Sequence, residues 1–211
     1  AGSGAAIGTR CVVVANRDVA TVESVLALSA VGATFSILDS QYPDARLAEL
    51  IASVQPVLVI CDVEQTADRI QSFCSAPICC ASTSLELGDS DWVERLPDPT
   101  EDEIAYILFT SGSTGRPKML GIGHGAVASF VSWQAAHFDI GEGDRTTMLS
   151  GLSHDPVMRD IFLPLSTGGT LCIPEQAMLA DPHSLVDWIL RCRPTLMHFG
   201  NPARTCSSSR Q

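Results

Sequence analysis

One stretch constrains this chain more than any other: Tyr106-Ile-Leu-Phe-Thr-Ser-Gly-Ser-Thr-Gly-Arg-Pro-Lys118. Its apolar start, Ile104 to Phe109, predicts a buried strand. The strand then has to end, because Thr110, Ser111, Gly112, Ser113, Thr114 and Gly115 are small and hydroxylated and offer no apolar face. The two glycines allow a tight turn that brings backbone N–H groups close to an anion. Four hydroxyls add donors, and Lys118 adds a positive charge. A plain Gly/Ser turn between two strands is the simpler alternative. The hydroxyls and the lysine go beyond what a turn needs, and the composition suits a polyphosphate. It is not a Walker A loop, since Pro117 stands where the second glycine belongs and Met119 follows the lysine.

The rest of the chain supplies a frame for such a loop. Arg10–Ala15 is apolar and β-branched and predicts a buried strand. Val22, Val25, Leu26 and Leu28 give an apolar face to a helix from about Asp18 to Val31, which Gly32 stops. A strand over Ala33–Leu38 leads to Asp39. Asp39 and Tyr42 can hold a turn, and Pro43 can open the helix Asp44–Val54. Pro56 ends that helix and Val57–Ile60 follows as a strand. Residues 64–73 suit a helix and Ala76–Cys80 a short strand. This alternation predicts an α/β fold with largely parallel sheets flanked by helices. Residues 81–103 are acidic and weakly patterned, a solvated linker expected to set the loop after a break between two sheet units.

Beyond Lys118, a strand is expected over Met119–Ile122 and a helix over His124–Ala136, with His124 in a structural hydrogen bond at the helix start. Strands at Thr146–Leu149 and Thr170–Ile173 flank a helix over Pro156–Leu165. A last helix spans Pro182–Arg191, with a strand at Thr195–His198. Residues 199–211 are polar, without apolar period, and read as an irregular tail.

A second constellation lies at Ser150-Gly-Leu-Ser-His-Asp-Pro-Val-Met-Arg-Asp160. Asp155 and Pro156 have the form of a helix start, Asp as the cap and Pro at the first helical position. Asp155 and Arg159 are four apart, acid first, and could pair along the helix. Spacing alone leaves that structural reading level with a functional one. His154 beside Asp155 gives two metal-ligand types without a third, so no metal site is expected.

Composition narrows the classes. The 211 residues allow one large or two small domains, and an apolar share of 45% allows a sizeable core. A net charge of −11 with no basic run argues against nucleic-acid or anionic-membrane surfaces. No apolar run is long enough for a membrane span. The eight cysteines contain no C-x-x-C pair. They read as small buried hydrophobes, which suits a reducing cytoplasm. The chain begins at Ala1 without a signal-peptide pattern and reads as cut from something longer.

Thr110-Ser-Gly-Ser-Thr-Gly-Arg-Pro-Lys118 resembles the phosphate-loop signature of the adenylate-forming superfamily, with Met119 where most members have glycine. Val31–Arg46 resembles a block upstream of it, in a form similar to α-aminoadipate reductases. His154-Asp-Pro-Val-Met-Arg-Asp160 resembles the block that lines the amino-acid pocket of peptide-synthetase adenylation domains. The resemblance covers about residues 10–198, a partial adenylation domain from the large N-terminal part of such an enzyme. It implies that Thr110, Ser111, Gly112, Ser113, Thr114, Gly115 and Lys118 hold the phosphates of ATP, with Mg. It implies that Asp155 holds a substrate ammonium, beside His154, and that Pro156 and Arg159 line the pocket. Arg159 could then take a substrate carboxylate in a bidentate contact. The family activates a carboxylate as an acyl-adenylate. The reductase branch works on L-2-aminoadipate in lysine biosynthesis, activates its distal carboxyl, and uses a phosphopantetheine carrier domain and NADPH. The blocks Tyr-Gly-x-Thr-Glu and Thr-Gly-Asp and the lid with its catalytic lysine are absent from these residues. The catalytic group is therefore unknown here, and the isolated chain is expected to be inactive. An adenylation domain for another acid, or a non-catalytic remnant, are the alternatives. A dinucleotide oxidoreductase is weaker, since no G-x-G-x-x-G follows a first strand.

Overall fold

The computed structural model describes residues 4–81, 96–110 and 117–198. Six strands form one sheet: β1 (Arg10–Ala15), β2 (Thr34–Asp39), β3 (Leu58–Cys61), β4 (Ile78–Cys80), β5 (Ile104–Thr110) and β6 (Lys118–Gly123). Their order is β4-β3-β1-β2-β5-β6, parallel except for the antiparallel pair β5–β6. Two further strands, β7 (Arg145–Thr147) and β8 (Thr170–Cys172), pair in parallel as a second, small sheet.

β1 shows why the sheet is covered on both sides. Cys11 to Ala15 are all buried, so the run is apolar on both faces rather than alternating. Val12 and Val14 point into a core with Leu47, Leu50, Ile51 and Val54 of α2 (Asp44–Val54) and Ile70 of α3 (Glu64–Gln71). Cys11, Val13 and Ala15 point the other way. They meet Val22, Val25 and Leu28 of α1 (Val19–Ala30) and Val157, Met158 and Ile161 of α5 (Pro156–Ser166). Each Val, Leu, Ile or Met among them contributes about 1.5–3 kcal/mol on burial. The second core matters for function, because it docks α5 against the first sheet.

Local chemistry sets the element ends. Asp18 caps α1, its Oδ1 accepting from the Thr21 N–H at 2.8 Å. Gly32 ends the turn after α1 at φ +70°, where an added Cβ would lie 2.8 Å from the Ile7 side chain. The Asp39 turn forms as expected: its Oδ1 accepts from the Gln41 N–H at 2.9 Å, and α2 begins directly after Pro43. The Arg69 guanidinium then pins this turn through the Ser40 and Tyr42 carbonyls and the Asp44 carboxylate. Cys11, Cys61 and Cys172 lie buried in strands as free thiols, and burial pushes Cys61 up to about 12. No helix among the described residues is long and apolar enough to cross a membrane.

Two expectations need correction. β5 does not start a separate sheet unit. It joins the first sheet beside β2, with Phe35 opposite Tyr106 and the Thr34 hydroxyl donating to the Ile104 carbonyl at 2.6 Å. Most of the linker, residues 82–95, lies outside the described residues. Thr195–His198 is not a full strand, and a single parallel bridge joins Leu196 to Thr146. A 3₁₀ turn at Gln176–Ala180, which the sequence pattern does not mark, precedes α6 (Pro182–Cys192).

Candidate active site

β5 and β6 form an antiparallel hairpin, and α4 (His124–Phe138) follows β6 directly. Thr110 and Lys118 face each other across the last rung, and the Thr110 hydroxyl donates to the Lys118 carbonyl at 3.5 Å. Lys118 is exposed at the start of β6. The expected phosphate-binding residues Ser111, Gly112, Ser113, Thr114 and Gly115 lie outside the described residues. The described ends still fix where that segment departs and returns.

The second constellation is held by the fold on several sides. Buried Arg17, just after β1, donates to the carbonyls of Met148 and Ser150, the latter at 2.7 Å. The Asp39 N–H donates to the Ser153 hydroxyl at 3.1 Å, tying the end of β2 to the turn before α5. Asp160 is buried, and one of its oxygens accepts from the Ser150 N–H at 3.0 Å. These contacts fix residues 148–160 against the carboxyl ends of β1 and β2.

Asp155 precedes α5 in helical backbone geometry (φ −45°, ψ −44°), and its side chain makes no capping bond. The expected cap is therefore corrected. The carboxylate instead accepts a hydrogen bond from the hydroxyl of Tyr106 on β5. The expected pairing of Asp155 with Arg159 is not made either. Arg159 reaches the neighbouring Asp160, with Nη2 at 3.2 Å and Nε at 3.4 Å from Oδ1. Asp160 is fully buried and needs a counter-charge, while Asp155 already has a donor, so the guanidinium turns to Asp160.

Asp155, Pro156 and Arg159 line one cavity of about 230 Å³, together with Tyr106, Ile122 and Phe130. His154 is not among its lining. Its ring lies over Gly151, where an added Cβ would sit 2.6 Å from Nδ1 and push the ring aside. A second cavity of about 300 Å³, lined mainly by apolar groups, shares Tyr106 with the first. His124 lines it, and its Nε2 is buried without a hydrogen-bond partner among the described residues. At the start of α4 the His124 N–H donates to the Glu103 carbonyl at 2.9 Å. His198 approaches Asp160 at 3.7 Å. Burial and nearby Arg159 hold it below the usual histidine range, with Asp160 opposing.

Tyr106, Asp160 and Arg17 are the residues of this region whose part the sequence reading does not assign. The signal for Tyr106 is a phenol inside an otherwise aliphatic strand. A buried tyrosine hydroxyl needs a partner, and here that partner is 49 residues away in sequence.

The chain is 30% identical over 218 residues to the L-2-aminoadipate reductase large subunit of Candida glabrata, covering 91% of this chain and 16% of that protein. It is 29% identical over 188 residues to tyrocidine synthase 3 of Brevibacillus parabrevis, covering 88% of this chain and 3% of that protein. The chain thus spans a small part of the length of these relatives. Among solved structures, the nonribosomal peptide synthetase FmoA3 superposes with a TM-score of 0.80 at 25% identity, covering 91% of this chain and 20% of that one. VinN in complex with L-aspartate superposes with a TM-score of 0.75 at 25% identity, covering 93% and 54%. The model of the AMP-binding enzyme family matches residues 2–202. By fold, by sequence and by the extent of that match, this chain belongs to the AMP-binding enzyme family.

Proposed function

We propose that the protein to which this chain belongs activates the carboxylate of an amino acid with ATP, giving an acyl-adenylate and pyrophosphate, and that the substrate is L-2-aminoadipate. One observation carries this reading: a single cavity is lined by a carboxylate, Asp155, and a guanidinium, Arg159, one helical turn apart. An amino acid with an acidic side chain presents the complementary pair, an ammonium and a carboxylate. The relationship to aminoadipate reductases and to VinN, solved with L-aspartate, supports the same choice.

In this reading Asp155 takes the ammonium, and Arg159, steadied by Asp160, offers its remaining N–H groups to a substrate carboxylate. Either carboxylate of aminoadipate could be that partner. Pro156 shapes the wall between them. His154 stands outside this cavity, and its proposed part is limited to the cavity's approach. Thr110, the segment 111–115 and Lys118 hold the ATP phosphates. The exposed Lys118 at the mouth of the hairpin suits an anion, and Mg comes with the phosphates. Positioning the phosphates against the carboxylate supplies much of the rate gain in such a displacement. In the whole protein a carrier domain with phosphopantetheine would accept the acyl group, and NADPH would reduce it in a cytoplasmic step of lysine biosynthesis.

The test is ATP–pyrophosphate exchange with the intact protein. Exchange dependent on L-2-aminoadipate and not on a neutral amino acid is the expected result, and equal exchange with both would remove the substrate assignment. The 211-residue chain alone is expected to give no exchange.

The ion pair between Arg159 and Asp160 favours a second reading, in which Arg159 serves the fold and the substrate is a different amino acid. Arg159→Ala separates the two. A rise of ~10-fold or more in KM for aminoadipate supports the first, and an unchanged order of preference among substrates supports the second.

A further inference from the structure

We infer that Tyr106 is a positioning residue for the amino-acid site: its hydroxyl holds the Asp155 carboxylate in the orientation that receives the substrate ammonium. The inference rests on the reading above, in which Asp155 binds that ammonium.

Asp155 sits at the start of α5, where a carboxylate usually turns back to cap the first N–H groups. Here the Asp155 backbone is helical (φ −45°, ψ −44°) rather than extended, the Val157 N–H donates to the His154 carbonyl, and no capping bond forms. Left to itself such a side chain would rotate freely at an exposed position. Tyr106 prevents this. It is buried to 5% exposure, stacks at 6.2 Å on Phe35 across the sheet, and aims its hydroxyl at one oxygen of Asp155. Both residues line the same cavity. With one oxygen engaged, the other is left for a cation in the cavity. Burial and the adjacent carboxylate push the phenol well above its ordinary value, so it stays a donor throughout the neutral range.

The placement has a second consequence. Side chains alternate along a strand, so Tyr106 and Thr110 share a face of β5, about 13 Å apart at the usual rise. The strand that leads to the phosphate segment therefore also carries the hydroxyl that sets the amine end of the pocket. One rigid element, rather than two loops, spaces the two ends of the reaction.

The experiment uses the intact enzyme and two substrates, L-2-aminoadipate and adipate, which differ by the amino group alone. Tyr106→Phe keeps the ring and its stacking, so the melting midpoint is expected to move little. KM for aminoadipate should rise ~10-fold with kcat within about twofold, while kinetics with adipate stay unchanged. Equal effects on both substrates, or none on either, overturn the inference. Asp155→Asn distinguishes this from failure of the underlying reading. If it leaves KM for aminoadipate unchanged, or if the unaltered enzyme gives no exchange with aminoadipate, the reading itself falls. If it raises KM and Tyr106→Phe does not, the reading stands and only the part of Tyr106 is lost.

Discussion

β1 and β6 belong to one sheet, yet they meet water in opposite ways. In β1, Cys11 to Ala15 are no more than 1% exposed, sandwiched between α2 on one side and α1 and α5 on the other. In β6, Met119 and Leu120 are 46% and 49% exposed, and α4 beyond it leaves Phe130, Trp133 and Phe138 about half exposed. The first region is where folding free energy is concentrated. The second carries the hairpin, the cavity wall and Lys118, where side chains would reach a ligand under the proposed function. The well-buried strand thus lies in the middle of the sheet and the proposed site at one edge, and α5 bridges them. Its Val157 and Ile161 are buried in the core, while Asp155 and Arg159 line the cavity.

This contrast can be broken most directly in the core. Leu47→Ala should cost about 3 kcal/mol of stability, because Leu47 is fully buried against β1. Leu120→Ala on β6 should stay within about 0.5 kcal/mol. Chemical denaturation reads both, and comparable losses would contradict the division. Next in size, Asp155→Asn should raise KM for the amino acid ~30-fold, as expected when the charge of a charge-assisted bond is lost, with the melting midpoint little changed because asparagine keeps an acceptor for the Tyr106 hydroxyl. Steady-state exchange kinetics check it, and a large fall in melting midpoint would make Asp155 a structural residue. Lys118→Ala should raise KM for ATP ~10-fold without changing KM for the amino acid, since the exposed lysine has no structural partner to lose among the described residues.

The smallest expected effect concerns pH. His198 has its pKa in the folded chain held below the ordinary histidine value of 6.5. Below that value the unfolded chain takes up a proton that the folded chain refuses. Stability is therefore fully present above about pH 6.5 and declines as pH falls toward the folded pKa. Melting measured from about pH 7.5 down to about pH 5 should show a gentle decline that His198→Gln flattens. An identical slope in the variant would mean that other groups carry the acid sensitivity.

Much of the buried region is legible in the sequence, and the reasons are local. Arg10–Ala15 reads as a strand because the run is apolar on both faces. Asp44–Val54 reads as a helix to the residue because Pro43 and Pro56 bound it. What escapes is non-local. Nothing in residues 104–110 announces that their neighbour is Phe35, so β5 reads as the start of a new unit. Nothing near Asp155 announces a phenol 49 positions earlier, so its carboxylate reads as a cap. The motif residues Asp155, Pro156 and Arg159 are found by resemblance, and the structure brings them to one cavity. It pairs them differently, because burial of Asp160 decides which acid the arginine meets.

The seat of β5 beside β2 also bears on how this fold could be taken apart. The hairpin is fastened to the first four strands by lateral hydrogen bonds and by the Phe35–Tyr106 stack, not merely by the connection that precedes it in the chain. Severing the backbone between Ala81 and Leu96 would leave these lateral contacts in place. The two pieces should then remain together, or find each other again when mixed, as complementing halves of one sheet. A sequence boundary would thereby become a place to split and rebuild the domain.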